Sequence, residues 1–272
     1  MATPLAFWDQ VQATCDELTT TVGSHLLTAR GTPAEEKQDG SLVTQFDRWS
    51  DQQLRMGLQS AFPDHGVLSE ETTHVFPEAD WCWIIDPIDG TTNFSRGIPL
   101  WAISLGLLYR GTPVYGYVYI PPLGDRFWGH WPGDSGLTVT AGAWLNGQPI
   151  HTRPEDPGPN QFFSLCARST EVLQQPFPCK VRMLGSAAYN LLLVAAGYAI
   201  GAVEATPKIW DIAGVWPILQ AAEASWTPLD GREPFPLQGG ANYRDRPYPT
   251  LVTARADLVS QFQPLVQSVG SI

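Results

Sequence analysis

The sequence predicts a mixed α/β fold in two parts, an α+β part over residues 1–155 and an α/β part over residues 156–272. Three observations predict it. Val11, Cys15, Leu18, Val22 and Leu26 recur at the spacing of an amphipathic helix, while Trp101, Ile103, Leu105 and Leu107 alternate as strand residues do. Beyond a loop dense in proline and acid at 153–160, strand and helix patterns take turns. A chain of 272 residues is long enough to bury a substantial core.

The helical spacing covers 7–29 and stops at Gly31. A turn and a short extended piece, beginning at Lys37, lead into a helix that starts near Asp47 and runs through Trp49, Leu54 and Leu58 to Phe62. Residues 63–66 read as a turn, and 67–69 as a brief strand ending at Glu70 and Glu71. Residues 82–85 are apolar and partly β-branched, a buried strand that delivers Asp86. Strands at 101–107 and 114–120, joined by a turn at 110–113, form an antiparallel hairpin; 126–131 and 137–140 add strands before an Asn146-Gly147 turn. In the second part, 161–166, 181–184 and 199–204 read as strands. Ser186 caps a helix running to about Gly197, and another begins at Trp210-Asp211, with Pro217 forcing a kink or a delayed start. A surface loop at 230–249, a strand at 251–253 and a helix over 257–269 close the chain.

The net charge of −11 disfavours nucleic acid polymers and anionic membranes, so a phosphate-bearing substrate would need local positive charge of the kind metal ions supply. Cys15, Cys82, Cys166 and Cys179 form no Cys-x-x-Cys pair and read as reduced thiols. None has an arginine six positions on, which excludes a cysteine-nucleophile phosphatase loop, and the absence of an Asp-x-Asp pair argues against an aspartyl-phosphate enzyme. The five histidines lack zinc spacing. No stretch reads as a signal peptide or a membrane span, so a cytoplasmic protein is expected.

Chemistry concentrates where the apolar run at 82–85 stops at Asp86, Pro87, Ile88, Asp89 and Gly90. Pro87 keeps Asp86 extended, Gly90 permits a positive φ or a close backbone approach, and Thr91 or Thr92 is expected to cap the turn that follows. Ile88 and Gly90 stand where an EF-hand would need oxygen ligands, which excludes that motif. Carboxylates beside outward-facing N–H groups suggest cations and an anion bound together.

The string Asp86-Pro87-Ile88-Asp89-Gly90-Thr91-Thr92-Asn93-Phe94 resembles the signature of the inositol monophosphatase family, magnesium-dependent and lithium-sensitive phosphatases. Lys37 followed by Val43-Thr44 and Asp47, the pair Glu70-Glu71, the small-residue turn at 185–188 and Trp210-Asp211 fit the same pattern, so the resemblance spans nearly the whole chain. Ser69 stands where glycine is usual, Ala224-Ser225 replaces a glycine pair, and Pro217 is unusual. The resemblance implies a layered helix–sheet sandwich of the inositol monophosphatase/fructose-1,6-bisphosphatase type, assembled as a homodimer. It also implies two or three Mg²⁺ ions per site, a choice that suits hard oxygen ligands.

By the same resemblance, Glu70, Asp86 and the backbone carbonyl of Ile88 would hold one ion, and Asp86, Asp89 and Asp211 another. Water activation is assigned to Glu70 and its ion, with Asp47, acting through the Thr91 hydroxyl, taking the proton. The N–H groups of Gly90 and Thr91 would bind the phosphate. Asp89, Ala187 and Glu204 would line the pocket for the alcohol, with Lys37, Glu71 and Ser186 standing behind the ligands. The implied reaction is hydrolysis of a small-molecule phosphate monoester, myo-inositol monophosphate first. Fructose 1,6-bisphosphate, adenosine 3′,5′-bisphosphate, histidinol phosphate and dinucleotide phosphates are the alternatives. A non-catalytic ligand-binding protein is the competing reading from another class.

Overall fold

The computed structural model describes residues 5–29, 31–37, 40–171 and 173–266. Helix α1 (Leu5–Ala29) buries Trp8, Val11, Cys15, Val22 and Leu26 along one face. After a small ladder of β1 (Glu35–Glu36) and β2 (Leu42–Val43) comes α2 (Gln45–Ala61). Its N-cap is Thr44, and Asp47 is the third helical residue of a capping box, so the helix starts before the position predicted for it.

A seven-stranded sheet follows in chain order: β3 (Gly66–Ser69), β4 (Trp81–Asp89), β5 (Ala102–Tyr109), β6 (Thr112–Ile120), β7 (Asp125–His130), β8 (Gly142–Leu145) and β9 (Gln148–Pro149). Helix α3 (Thr91–Arg96) bridges β4 and β5. All pairings are antiparallel except β3 with β4. Arg110 and Gly111, both at positive φ, make the β5–β6 turn, which leaves Thr112 and Pro113 inside β6. The strand predicted at 137–140 is irregular, and the pairing partner of β7 lies slightly later, at β8.

The second sheet is built from β10 (Phe162–Leu165), β11 (Lys180–Arg182), β12 (Gly201–Glu204), β13 (Ser225–Pro228) and β14 (Thr250–Thr253), in the order β11-β10-β12-β14-β13. Strand β10 runs parallel to β11 and β12, and β14 is antiparallel to β12 and β13. The sequence reading missed β13, whose four residues are all half-buried and include Pro228, so they carry no alternation. Helices α4 (Ala187–Ala195), α5 (Ile209–Ala213), α6 (Trp216–Ala221) and α7 (Val259–Val266) complete the chain. Pro217 sits in the first turn of α6, so the helix expected from Trp210 is broken and restarts, the delayed start that a proline permits. The final helix was expected to reach 269; residues 267–269 lie outside the described residues.

The layers run helix, sheet, helix, sheet, helix. Helices α1 and α2 cover one face of the first sheet and α7 lies against the second, while α4, α5 and α6 fill the space between the sheets. Close approach in the middle layer depends on glycine. A Cβ on Gly116 would stand 1.9 Å from the Gly214 carbonyl oxygen, and one on its cross-strand neighbour Gly106 would stand 2.7 Å from the Ala213 carbonyl carbon. These two positions let the α5–α6 break press onto β5 and β6, which carries Asp211 toward the end of β4.

Candidate active site

Strand β4 is longer than the sequence reading made it, continuing extended through Asp86 to Asp89 with a register shift against β5 between those two acids. The irregularity re-aims the chain as a bulge does, and Asp86 and Asp89 are both buried. Because β3 pairs with β4 in parallel, Ser69 beside Ile85, the next residues Glu70 and Asp86 leave the sheet at the same edge. Gly90 has φ +97° and is itself the N-cap of α3; neither Thr91 nor Thr92 caps that turn. A Cβ there would lie 3.0 Å from the Gly185 carbonyl oxygen, so glycine also permits the loop before α4 to close on this corner.

Freed from capping, the Thr91 hydroxyl lies 2.8 Å from Asp47 Oδ1 and 3.0 Å from the Ile88 carbonyl oxygen, and its one proton serves either acceptor. Asp47 is fully buried, its Oδ2 accepting from the Thr44 N–H at 2.7 Å and the Thr44 hydroxyl at 2.6 Å. Burial raises its carboxyl above the ordinary range, and the donations from Thr44 and Thr91 offset part of that rise.

Asp211, the third residue of α5, accepts from the Lys208 N–H at 2.6 Å. Among the described residues, ligand oxygens of Asp86, Asp89 and Asp211 all lie within 4.8 Å of one another. Burial pushes the Asp211 carboxyl up to about 7, with the Asp89 charge adding to it. Burial raises Asp86 well above the carboxylate range, reinforced by Glu70, Asp89 and Asp211. Glu70 is pushed up to about 8, chiefly by burial, although the Lys37 ammonium opposes the rise. Lys37 Nζ holds Glu70 at 2.9 Å and Glu71 at 2.7 Å, and these carboxylates outweigh burial to keep the ammonium charged.

A cluster of hard oxygens whose members raise one another's pKa suits a divalent cation of the magnesium class, because bound positive charge removes that mutual cost. Glu70, Asp86, Ile88, Asp89 and Asp211 line one cavity of about 350 Å³ with Gly90 and Thr91.

Asp89 ties the first sheet to α4. Its carboxylate accepts from the Ser186 hydroxyl, from the Ala187 N–H at 3.0 Å and from the Ala188 N–H at 2.8 Å, at the start of α4. Ser186 also caps that helix through the Tyr189 N–H, as its position predicted. Glu204, at the buried end of β12, accepts from Asn190 Nδ2 at 2.8 Å, and burial pushes it up to about 8. Glu204, Ala187 and Asp89 line a second cavity of about 270 Å³ that meets the first at Asp89 and Asp211.

The structure thus gathers every site residue that the sequence singled out around two adjoining cavities and the Lys37 pair. Three neighbours were not singled out: Thr44 behind Asp47, Asn190 behind Glu204, and Arg168 on the wall of both cavities. The available signal for Arg168 was the parallel pair β10 and β12, since residues following neighbouring parallel strands emerge together.

A five-layer sandwich with an acidic cluster at the ends of parallel strands is the architecture of a known class of phosphatases. The sequence model of the inositol monophosphatase family matches residues 8–260, and the chain belongs to that family. It is 31% identical over 212 residues to the fructose-1,6-bisphosphatase/inositol-1-monophosphatase of Aquifex aeolicus, covering 74% of this chain and 76% of that one. It is likewise 31% identical over 208 residues to the histidinol-phosphatase of Chlorobaculum parvum, covering 72% of this chain and 76% of that one. The solved structure of the IMPase of Thermotoga maritima superposes with a TM-score of 0.79 at 27% identity, covering 97% of this chain and 98% of that one.

Proposed function

We propose that this family phosphatase hydrolyses a polyol phosphate monoester, accepting myo-inositol monophosphate, in a Mg²⁺-dependent reaction. The observation that carries the reading is the Thr91 hydroxyl standing 2.8 Å from buried Asp47 beside the Asp86, Asp89 and Asp211 cluster. It puts a buried proton acceptor behind a hydroxyl that lines the same cavity as the cation site. Held by Glu70, Asp86, the Ile88 carbonyl, Asp89 and Asp211, Mg²⁺ would supply positive charge against the phosphate and lower the pKa of the water it binds.

The remaining work falls to the chain. Thr91 passes a proton from the attacking water to Asp47, whose raised pKa brings it nearer the range in which a general base is effective. Thr44 holds the far oxygen of Asp47, so the near one stays aimed at Thr91. Gly90 and Thr91 offer backbone N–H groups to the phosphate. Glu204, fixed by Asn190, takes hydroxyls of the alcohol, and Ala187 keeps that wall small. Lys37 fixes Glu70 and Glu71 in place, and Ser186 fixes Asp89.

The division at 155/156, read from the loop at 153–160, and a cytoplasmic location, read from cysteine usage and sequence patterning, belong to the same proposal, as do inhibition by millimolar Li⁺ and a homodimer, which rest on family resemblance. The primary test is phosphate release from myo-inositol 1-phosphate with Mg²⁺ and with a chelator. Release should require Mg²⁺; undiminished release in chelator contradicts the cation assignment.

A further inference from the structure

Glu70 begins a loop that runs from β3 to Phe76, and its backbone is held on both sides. Its N–H donates to the Ile85 carbonyl at 3.2 Å, one step beyond the β3–β4 ladder. Its carbonyl oxygen lies 2.7 Å from Nε2 of His74. A carbonyl oxygen only accepts, so Nε2 carries the proton of this bond. His74 belongs to none of the motifs that the sequence marks.

The same side chain reaches the other flank of the acidic cluster. Its ring meets the Trp210 indole, with centroids 5.6 Å apart and planes tilted by 55°, and Trp210 precedes Asp211 in α5. The backbone around it is fixed as well: the Tyr243 N–H donates to the His74 carbonyl at 2.9 Å, and Val75 bridges to Asn242. One imidazole thus spans from the segment of Glu70 to the segment of Asp211. It is half-buried on the wall of a cavity of about 530 Å³, so truncation there opens no sealed void in the core.

We propose that His74 is a positioning residue for the cation site: its Nε2–H fixes the Glu70 carbonyl while its ring sets the place of Trp210, so that Glu70 and Asp211 keep a fixed separation when Mg²⁺ binds. This rests on the Mg²⁺-dependent reading of the site and deepens it. Without a cation the two carboxylates repel, and a loop free to turn at Glu70 would carry them apart. Holding the loop in advance removes an ordering penalty from cation binding. His74 acts through Glu70 and Trp210, so its effect is read in cation affinity rather than in the chemical step.

The test measures Mg²⁺ binding without substrate, from the rise in thermal midpoint over a Mg²⁺ titration, in wild type, His74→Phe and His74→Gln. His74→Phe keeps a ring for Trp210 and removes the donor; its Mg²⁺ affinity should fall roughly 10-fold, the scale on which a partner behind a metal ligand is felt. His74→Gln, which places an N–H near the position of Nε2, should recover most of that loss. Phosphate release should shift to higher Mg²⁺ in the same order, while kcat at saturating Mg²⁺ stays close to wild type. A merely structural role would lower the midpoint in chelator and leave Mg²⁺ affinity alone, and that result overturns the proposal, as does an equal loss of affinity in both variants. If His74→Phe does not fold, His74→Ala is read in its place. Absence of any Mg²⁺ shift in folded wild type would overturn the cation reading itself; a shift shared unchanged by His74→Phe overturns the role of His74 alone.

Discussion

At one edge of the first sheet the parallel strands β3 and β4 end in Glu70 and Asp86; at one edge of the second, β10 and β12 end near Arg168 and in Glu204. The architecture is alike and the charge balance is opposite. At the first edge carboxylates crowd until Glu70, Asp89 and Asp211 all raise the pKa of Asp86, and Lys37 pairs with Glu70 and Glu71. At the second, Glu204 is satisfied by a neutral amide and a cation stands on the cavity wall. The first edge calls for added positive charge, whereas at the second Glu204, raised by burial and by the Asp89 and Asp211 charges, has an amide partner and can act in selecting the alcohol.

The comparison breaks most readily at Asp89, which belongs to both edges. Asp89→Asn keeps the shape but removes a charge that the cation site needs, and kcat should fall at least ~10²-fold. Near-normal kcat at saturating Mg²⁺ would take Asp89 out of the first edge and leave it as an anchor for α4.

A smaller effect is expected at Glu204, because hydroxyl contacts act in ground and transition states alike. Glu204→Ala should lower kcat/KM for inositol 1-phosphate roughly 10- to 100-fold, mostly through KM, while a simple aryl phosphate changes little. Equal losses on the two esters would mean that Glu204 supports the fold rather than the alcohol.

The link between the edges can be strained without touching either. Gly116→Ala drives a methyl group into the Gly214 carbonyl, and the resulting overpacking should cost about 1–3 kcal/mol of stability, seen as a lower unfolding midpoint in denaturant. An unaltered midpoint would show that the α5–α6 break moves aside freely.

The smallest and least local effect is pH dependence away from the cavities. Burial pushes His65 and His130 down to about 4 from the ordinary 6.5. The unfolded chain therefore takes up protons at these positions before the native one does. Their stabilising contribution is full above about pH 6.5 and is lost as pH falls toward about 4. The raised carboxylates of Glu70, Asp86, Glu204 and Asp211 act in the opposite sense across that window, so the histidine contribution is read as a difference. The wild-type melting midpoint should fall relative to that of a His65→Phe/His130→Phe variant as pH falls, and a constant difference would remove both histidines from the balance.

The acid-rich edge was legible in the sequence because strand ends, Pro87, Gly90 and a long signature string mark it within one contiguous stretch. The second edge was legible only at Glu204. Arg168 and Asn190 lie 36 and 14 residues before it and acquire their place through strand pairing and helix α4, which no local pattern encodes. Capping was misjudged for a related reason. Thr91 looks like an N-cap, but Gly90 takes that position at positive φ, and the hydroxyl is drawn to Asp47, which lies 44 residues earlier. Strand β13 escaped notice because it is short and half-buried, while Pro217 was read correctly as a break because proline acts through its own backbone.

The central claim, that Asp86 lies in a buried acidic cluster completed by a divalent cation, is tested most directly by thermal unfolding of wild type and Asp86→Asn in Mg²⁺ and in chelator. Mg²⁺ should raise the wild-type Tm by several degrees, since ligand at a hundred times its Kd contributes ~2.7 kcal/mol. Asp86→Asn should gain much less, and in chelator its Tm should equal or exceed that of wild type because one member of the cluster has become neutral. Equal Mg²⁺ shifts in the two proteins, or none in either, would contradict the account.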